Sequence, residues 1–161
     1  MTAPYHGGCQ CGSVRYVVKA EPVTLYICHC RDCQKQTASA FAMSLTVRSD
    51  QIDITTGTLK EWRRPAESGA DVFCRFCPTC GTRIIHGKDT RPEFVNVKPG
   101  TLDDTSWLTP VAQIWTTRAQ PWIDFGPRFL SYPSQPPDSA DMWSRWHDEH
   151  SARLKGDQQP P

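Results

Sequence analysis

A chain of 161 residues with a formal net charge of +1 is sized for one domain, long enough to bury roughly two-thirds of its unfolded surface. It carries no strong global field to draw it to nucleic acid or an anionic membrane. Its N-terminus, MTAPYHGGCQ, lacks a basic region followed by an apolar run, and no window approaches a membrane span, so the chain reads as a soluble cytoplasmic protein. Eight cysteines in tight clusters, without a secretory leader, point to metal rather than to disulfides.

In chain order, YHGGCQCGSVRYVV (5–18) sets Cys9 and Cys11 between two glycine signals, followed by the alternation Val14, Tyr16, Val18 of a half-buried strand. A second strand over Thr24 to Ile27 delivers the chain to CHCRDCQKQTASAF (28–41), with a short helical turn at Gln34 to Ala38 and a strand from Ala40 to Val47. Gln51 to Thr55 and Thr58 to Trp62 read as a hairpin divided at Gly57, and 65–70 as a polar loop. Strand-like residues then lead into Cys77-Pro-Thr-Cys80-Gly81, a compact turn suited to zinc. Phe94 to Val97, Val111 to Thr116 and Trp122 to Phe125 are the last strand candidates. Turn signals every eight to twelve residues favour an all-β sandwich or barrel.

The character changes after a linker-like break at Pro133 to Pro137. Asp138 is positioned to cap a helix to Lys155 with Gly156 as its stop, Trp143 and Trp146 docking it on the β body, and the GDQQPP end is expected to fray.

The thiols fall into Cys-x-Cys, Cys-x-Cys-x-x-Cys and Cys-x-x-Cys, with Cys74 ahead of the last pair. One closed site and one open site account for seven of them. Spacing alone leaves open which upstream cluster Cys77 and Cys80 join.

Three segments, GGCQCGSVRY (7–16), CHCRDCQKQTASAF (28–41) and FCPTCGTRI (76–84), resemble the glutathione-dependent formaldehyde-activating enzyme family, which includes the centromere protein V-like proteins. VNVKPGTLDD (95–104) and IWTTRAQPWI (114–123) are weaker echoes. The resemblance implies a mainly β, Mss4-like zinc-bound sandwich over residues 1–132, with 133–161 a linker and a C-terminal helix packed on the same domain. It implies two Zn²⁺ per chain: a structural ion on Cys9, Cys11, Cys77 and Cys80, and a catalytic or labile ion on Cys28, Cys30 and Cys33. The implied activity is that of a carbon–sulfur lyase, the addition of glutathione to formaldehyde that gives S-hydroxymethylglutathione. Thr37-Ala38 departs from the Thr-Gly or Ser-Gly frequent in the family, a change expected to narrow or re-aim the backbone beside the open site.

The chemistry agrees with the resemblance. Three thiolates on Zn²⁺ make an electron-rich centre, better at holding an incoming thiol as a nucleophilic thiolate than at generating hydroxide. The partners are then glutathione, or another small thiol, and a small aldehyde. Arg31 and Lys35, together with Arg75 and Arg83 beside the Cys-x-x-Cys turn, are candidate carboxylate anchors. A zinc-stabilised binding module, with all metal architectural, is the competing reading. His29 is expected to point away from the metal, His147 and His150 to lie on an exposed helix face, and Cys74 to be a small buried apolar side chain. Trp62, Trp107, Trp115 and Trp122 read as core or pocket wall.

Overall fold

The computed structural model describes residues 2–66 and 69–156, the side chains of 153–156 excepted. Its elements are β1 (Tyr5–Gly8), β2 (Arg15–Val18), β3 (Thr24–Cys28), α1 (Arg31–Thr37), β4 (Ala42–Arg48), β5 (Ile52–Thr56) and β6 (Lys60–Pro65). β7 (Asp71–Phe76), β8 (Arg83–Lys88), β9 (Phe94–Val97), β10 (Ala112–Ile114), β11 (Leu130–Tyr132) and α2 (Ala140–Gly156) follow. The protein is mainly β with a C-terminal helix, as the sequence leads one to expect. No helix among the described residues is long and apolar enough to cross a membrane.

The chain divides into two units. The first comprises 23–44 and the segment from Trp107 onward. Here β10 pairs in parallel with both β3 and β11. A strand between neighbours has little reason to alternate, and β3 is buried at four of its five positions. Helix α2 packs on β3, where Thr24 Oγ1 donates to the Met142 carbonyl at 3.2 Å. The helix starts close to its expected cap, the Asp138 carboxylate accepting from Ala140 N–H at 3.0 Å. Its docking stripe is Met142, Trp146 and His150, at four-residue spacing, rather than the expected Trp143 and Trp146. His150 is therefore buried, its ring stacked on Trp146 at 5.0 Å and 12°, with Trp107 against both. His147 is exposed, as expected.

The second unit comprises 3–22 and 45–106. One sheet has the order β1-β2-β5, and a second runs β9-β8-β7-β6 with the C-terminal half of β4 against β9. Tyr5, Tyr16, Val18, Leu45, Val47, Ile84, Ile85 and Val97 form its core. The expected hairpin between Gln51–Thr55 and Thr58–Trp62 does not form. β5 pairs with β2 and β6 with β7, and Gly57 instead marks a close approach, where an added Cβ would meet the Ser13 carbonyl oxygen at 2.1 Å. Local turn propensity yields here to the open edge of β2.

Two further expectations fail for identifiable reasons. Trp122 to Phe125 is a turn segment, in which Ile123 N–H bonds the Gln120 carbonyl and Gly126 N–H bonds the Asp124 carboxylate. The last strand is instead β11, paired in parallel with β10 and, at three residues, too short to show a period. Trp62 and Trp122 are 49% and 74% exposed and so are not core. The loop at 65–70 closes with Ala66 N–H on the Ala70 carbonyl, while 67–68 and the tail at 157–161 lie outside the described residues.

Replacing Trp146 with alanine removes the centre of the α2 stripe and is expected to cost about 3–5 kcal/mol, read as a lowered urea midpoint with the helix signal lost early.

Candidate metal centres

The four-thiol centre lies within the second unit, between two tight turns. In the β1–β2 turn Cys9 N–H bonds the Val14 carbonyl at 3.0 Å and Gly12 N–H returns to the Cys9 carbonyl at 3.1 Å, which folds Cys9 and Cys11 toward one point. In the β7–β8 turn Cys77 N–H bonds the Thr82 carbonyl and Gly81 N–H the Cys77 carbonyl, both at 2.9 Å, with Gly81 at φ +74° where glycine is favoured. The sulfurs of Cys9, Cys11, Cys77 and Cys80 all lie within 4.8 Å of one another. A tetrahedron with zinc–sulfur arms of about 2.3 Å has edges of about 3.8 Å. The Cys9–Cys11 and Cys11–Cys77 separations, 3.5 and 3.8 Å, match it.

The local field favours the thiolate at Cys80 and Cys9, whereas at Cys77 the N–H groups of Cys80 and Thr79 favour it but burial and the Cys9 and Cys80 thiols prevail and raise the pKa. Cys80 is drawn down to about 5 by the Thr82 hydroxyl, then by backbone N–H groups of Thr82 and Cys11. At Cys9 burial opposes ionisation, but the Val14 N–H at 3.2 Å and the neighbouring thiols outweigh it and lower its pKa. A closed set of four thiolates without an open position has the ligand chemistry of a structural zinc.

The three-thiol centre lies within the first unit. Cys28 ends β3, Cys30 caps the N-terminus of α1 and Cys33 sits in its first turn, its N–H aimed at Cys30 Sγ at 3.4 Å. The three sulfurs lie within 4.8 Å of one another, and among the described residues no fourth Cys, His, Asp or Glu joins them. Cys28 is pushed far up, first by its contacts with Cys30 and Cys33 and then by burial. Three crowded sulfurs cannot all ionise unless a cation offsets their charge. The donor set thus fits a metal that retains one position for a further ligand.

Neutral groups fix this loop. His29, between two of the thiols, turns away from them: its ring packs on Phe41 and Phe125, Nε2 meets Gln113 Oε1 at 3.1 Å, and its N–H bonds the Ile114 carbonyl. Burial lowers its pKa against the opposing Gln113 contact, so the imidazole is neutral at pH 7. Buried Gln34 is the principal brace. Its amide nitrogen donates to the carbonyls of His29 at 2.6 Å and Arg118 at 3.0 Å, and its oxygen accepts from Arg31 at 2.8 Å and Gln120 at 3.4 Å. No spacing rule singles out Gln34, Gln113 or Phe125, because each acts through contacts distant in sequence.

The sequence matches the glutathione-dependent formaldehyde-activating enzyme family over residues 4–118. The chain belongs to this family. Its fold is also similar to the crystal structure of a Rhodobacter sphaeroides protein, with a TM-score of 0.52 and 21% identity over 79% of this chain and 98% of that one.

The family's frequent glycine after the Thr of the central motif is here Ala38, which keeps the left-handed backbone, φ 50° and ψ 38°, and caps α1 through its N–H. A residue with a Cβ holds this left-handed conformation at the cost of local strain. Thr37 bridges from Cys33 to Phe41 by donating to both carbonyls, at 2.9 and 3.0 Å.

The expected anchors separate into different roles. Arg31 is exposed and committed to Gln34, whereas Lys35 is exposed on the same short helix. Arg75 is held by Glu61 at 2.9 Å and lies over the Phe73 ring, so it is already occupied. Cys74 is buried on β7, outside both thiol clusters, as a small apolar side chain. Trp115 is half-buried with φ 60° and carries Arg118 over its ring.

Gln34→Met keeps the volume but deletes both donors, and metal affinity at the three-thiol centre is expected to fall at least about tenfold in chelator competition while the four-thiol ion is unchanged. Ala38→Gly should relieve the left-handed strain of about 1–2 kcal/mol, less the added unfolded-state entropy, and raise thermal stability by about 0.5–1 kcal/mol.

Proposed function

We propose that the protein is a zinc enzyme that adds a thiol, glutathione in the first instance, to formaldehyde or another small aldehyde at Cys28, Cys30 and Cys33. The observation that carries the proposal is a thiol cluster that closes at three, set beside one that closes at four in the same chain. Family membership supplies the substrate class. Bound at the three-thiol centre, Zn²⁺ provides a position at which an incoming thiol is held deprotonated yet nucleophilic.

The chain's own residues set the conditions for that chemistry. Cys28, Cys30 and Cys33 supply the ligands, and Gln34 with His29 holds the loop carrying them. Lys35, exposed one turn along α1, offers a positive charge to a substrate carboxylate. The reaction forms one S–C bond and opens one C=O bond, and the thiol proton finishes on the former carbonyl oxygen as a hydroxyl. The sealed, neutral His29 takes no part in that transfer. Eight cysteines free of disulfides suit a reducing compartment, which supports a cytoplasmic location.

Protein purified without chelator is expected to hold two zinc ions, one of them labile and protected by added glutathione. Cys30→Ser should remain folded, lose one ion and lose thiol–aldehyde adduct formation. Cys77→Ser should unfold or aggregate, since structural zinc contributes about 10 kcal/mol or more to folding in small zinc domains. Equal collapse of both variants, or a single tight ion indifferent to glutathione, would assign the metal to architecture alone.

A further inference from the structure

Strand β6 ends its sheet in the second unit: β7 holds one side of it, and among the described residues no strand pairs with the other. Which backbone groups this leaves open follows from the hairpin. Ala66 N–H bonds the Ala70 carbonyl at 2.8 Å, and the register then runs evenly from Pro65 opposite Asp71 to Lys60 opposite Phe76. Bonded and non-bonded pairs alternate along an antiparallel ladder. Lys60, Trp62 and Arg64 therefore bond β7, while Glu61, Arg63 and Pro65 turn their backbone groups to the open edge. Pro65 has no N–H, and Arg64 Nη1 donates to its carbonyl at 3.2 Å. The pairing capacity of the edge is thus concentrated at Glu61 and Arg63.

The side chains of β6 divide between the two faces of the sheet. Glu61 and Arg63 share one face, where Glu61 pairs with Arg63 and Arg75, Arg63 pairs with Asp89, and both arginines lie over the Phe73 ring. Carboxylates and guanidiniums balance there, so a second patch of the same kind is not repelled. On the other face Trp62, in the middle of the strand, is 49% exposed. A large apolar side chain on a bare edge invites another strand.

The sequence of β6 selects that strand. An antiparallel copy related by a two-fold axis normal to the sheet must be centred on a residue, because cross-strand partners project from the same face. Centring on Glu61 or on Arg63 would set like charges directly opposite. Centring on Trp62 sets Glu61 of each copy against Arg63 of the other, each pair exchanging N–H···O bonds through the groups that β7 leaves open, and brings the two indoles together as a close non-bonded pair. Lys60 then meets Arg64 of the second copy, a like-charge contact at the ends of the match. With Pro65 beyond it, this confines pairing to the centre of the strand.

We propose that β6 is a dimerisation edge, closed by β6 of a second copy in antiparallel register about Trp62. The proposal rests on strand register and charge within one unit and does not depend on the thiol chemistry.

The test is sedimentation equilibrium of the zinc-loaded full chain, joined to amide hydrogen exchange followed by NMR at low and high protein concentration. A monomer–dimer equilibrium is expected. With it should come concentration-dependent protection of the Glu61 and Arg63 N–H groups, but not of those of Trp62 and Arg64, which β7 already bonds. Arg63→Pro removes an open-edge donor and no bond to β7, at the same phase of the strand as Pro65, and should weaken the dimer at least about tenfold with zinc content unchanged. Trp62→Lys, at a half-exposed position, should weaken it similarly by setting two ammonium groups face to face, and keeps the test decisive should the proline variant not fold. A monomer at every concentration up to about 1 mM overturns the proposal and leaves the edge to a different protein's strand or to none. Association undiminished in either folded variant, or protection that omits Glu61 and Arg63, would place the contact elsewhere and overturns it as well.

Discussion

The structure depends first on the crowding of sulfur. Seven of eight thiols are packed into two clusters whose members lie within 4.8 Å, at distances where adjacent thiolates repel strongly. Only a cation makes such packing favourable, and the turns holding the four-thiol cluster are shaped for it: two backbone hydrogen bonds in each turn direct sulfurs inward at near-tetrahedral spacing. In the second unit this centre ties the β1–β2 turn to the β7–β8 turn, a link between segments more than sixty residues apart in sequence.

The two centres differ in more than ligand number. Around the closed centre, N–H and hydroxyl donors turn toward sulfur and favour the thiolate, as at Cys9 and Cys80. Around the open centre, the supporting groups are a neutral Gln34 amide that bonds backbone carbonyls and a neutral imidazole that meets the Gln113 side chain, which leaves the sulfurs to a metal. A carboxylate in place of Gln34 would set negative charge against two carbonyl oxygens and add to that of three thiolates. An amide supplies the same reach without either penalty. Holding the ligand loop by neutral groups keeps its geometry fixed while its charge changes on metal binding.

Charge is also sorted across the second unit's sheet. Glu61 is matched by Arg63 and Arg75 on one face, whereas on the other burial and then neighbouring cations lower the pKa of His86. A single extra residue at Ile84 brings about part of that sorting by reversing the side on which Arg83 emerges. Small departures from regular pairing thus redirect chemistry that the alternating pattern alone would place elsewhere.

Cysteine spacing by itself determined that thiols gather in sets able to hold a metal ion, because ligands within one turn must converge whatever the rest of the fold does. The same holds for the short strands between turn signals and for the capped C-terminal helix, whose causes are local. Which residues face which was decided only by tertiary structure. Gly57 serves a close approach to Ser13 instead of a hairpin, His150 is buried because Trp146 and Trp107 pack on it, and Trp122 is exposed outside any strand. The partnership of Gln34 with Arg118 and Gln120 spans more than eighty residues, and the slip that aims Arg83 exists only once β7 meets β8. Such contacts leave no periodic trace in a sequence, since they depend on the relative placement of strands rather than on the conformation of any one of them.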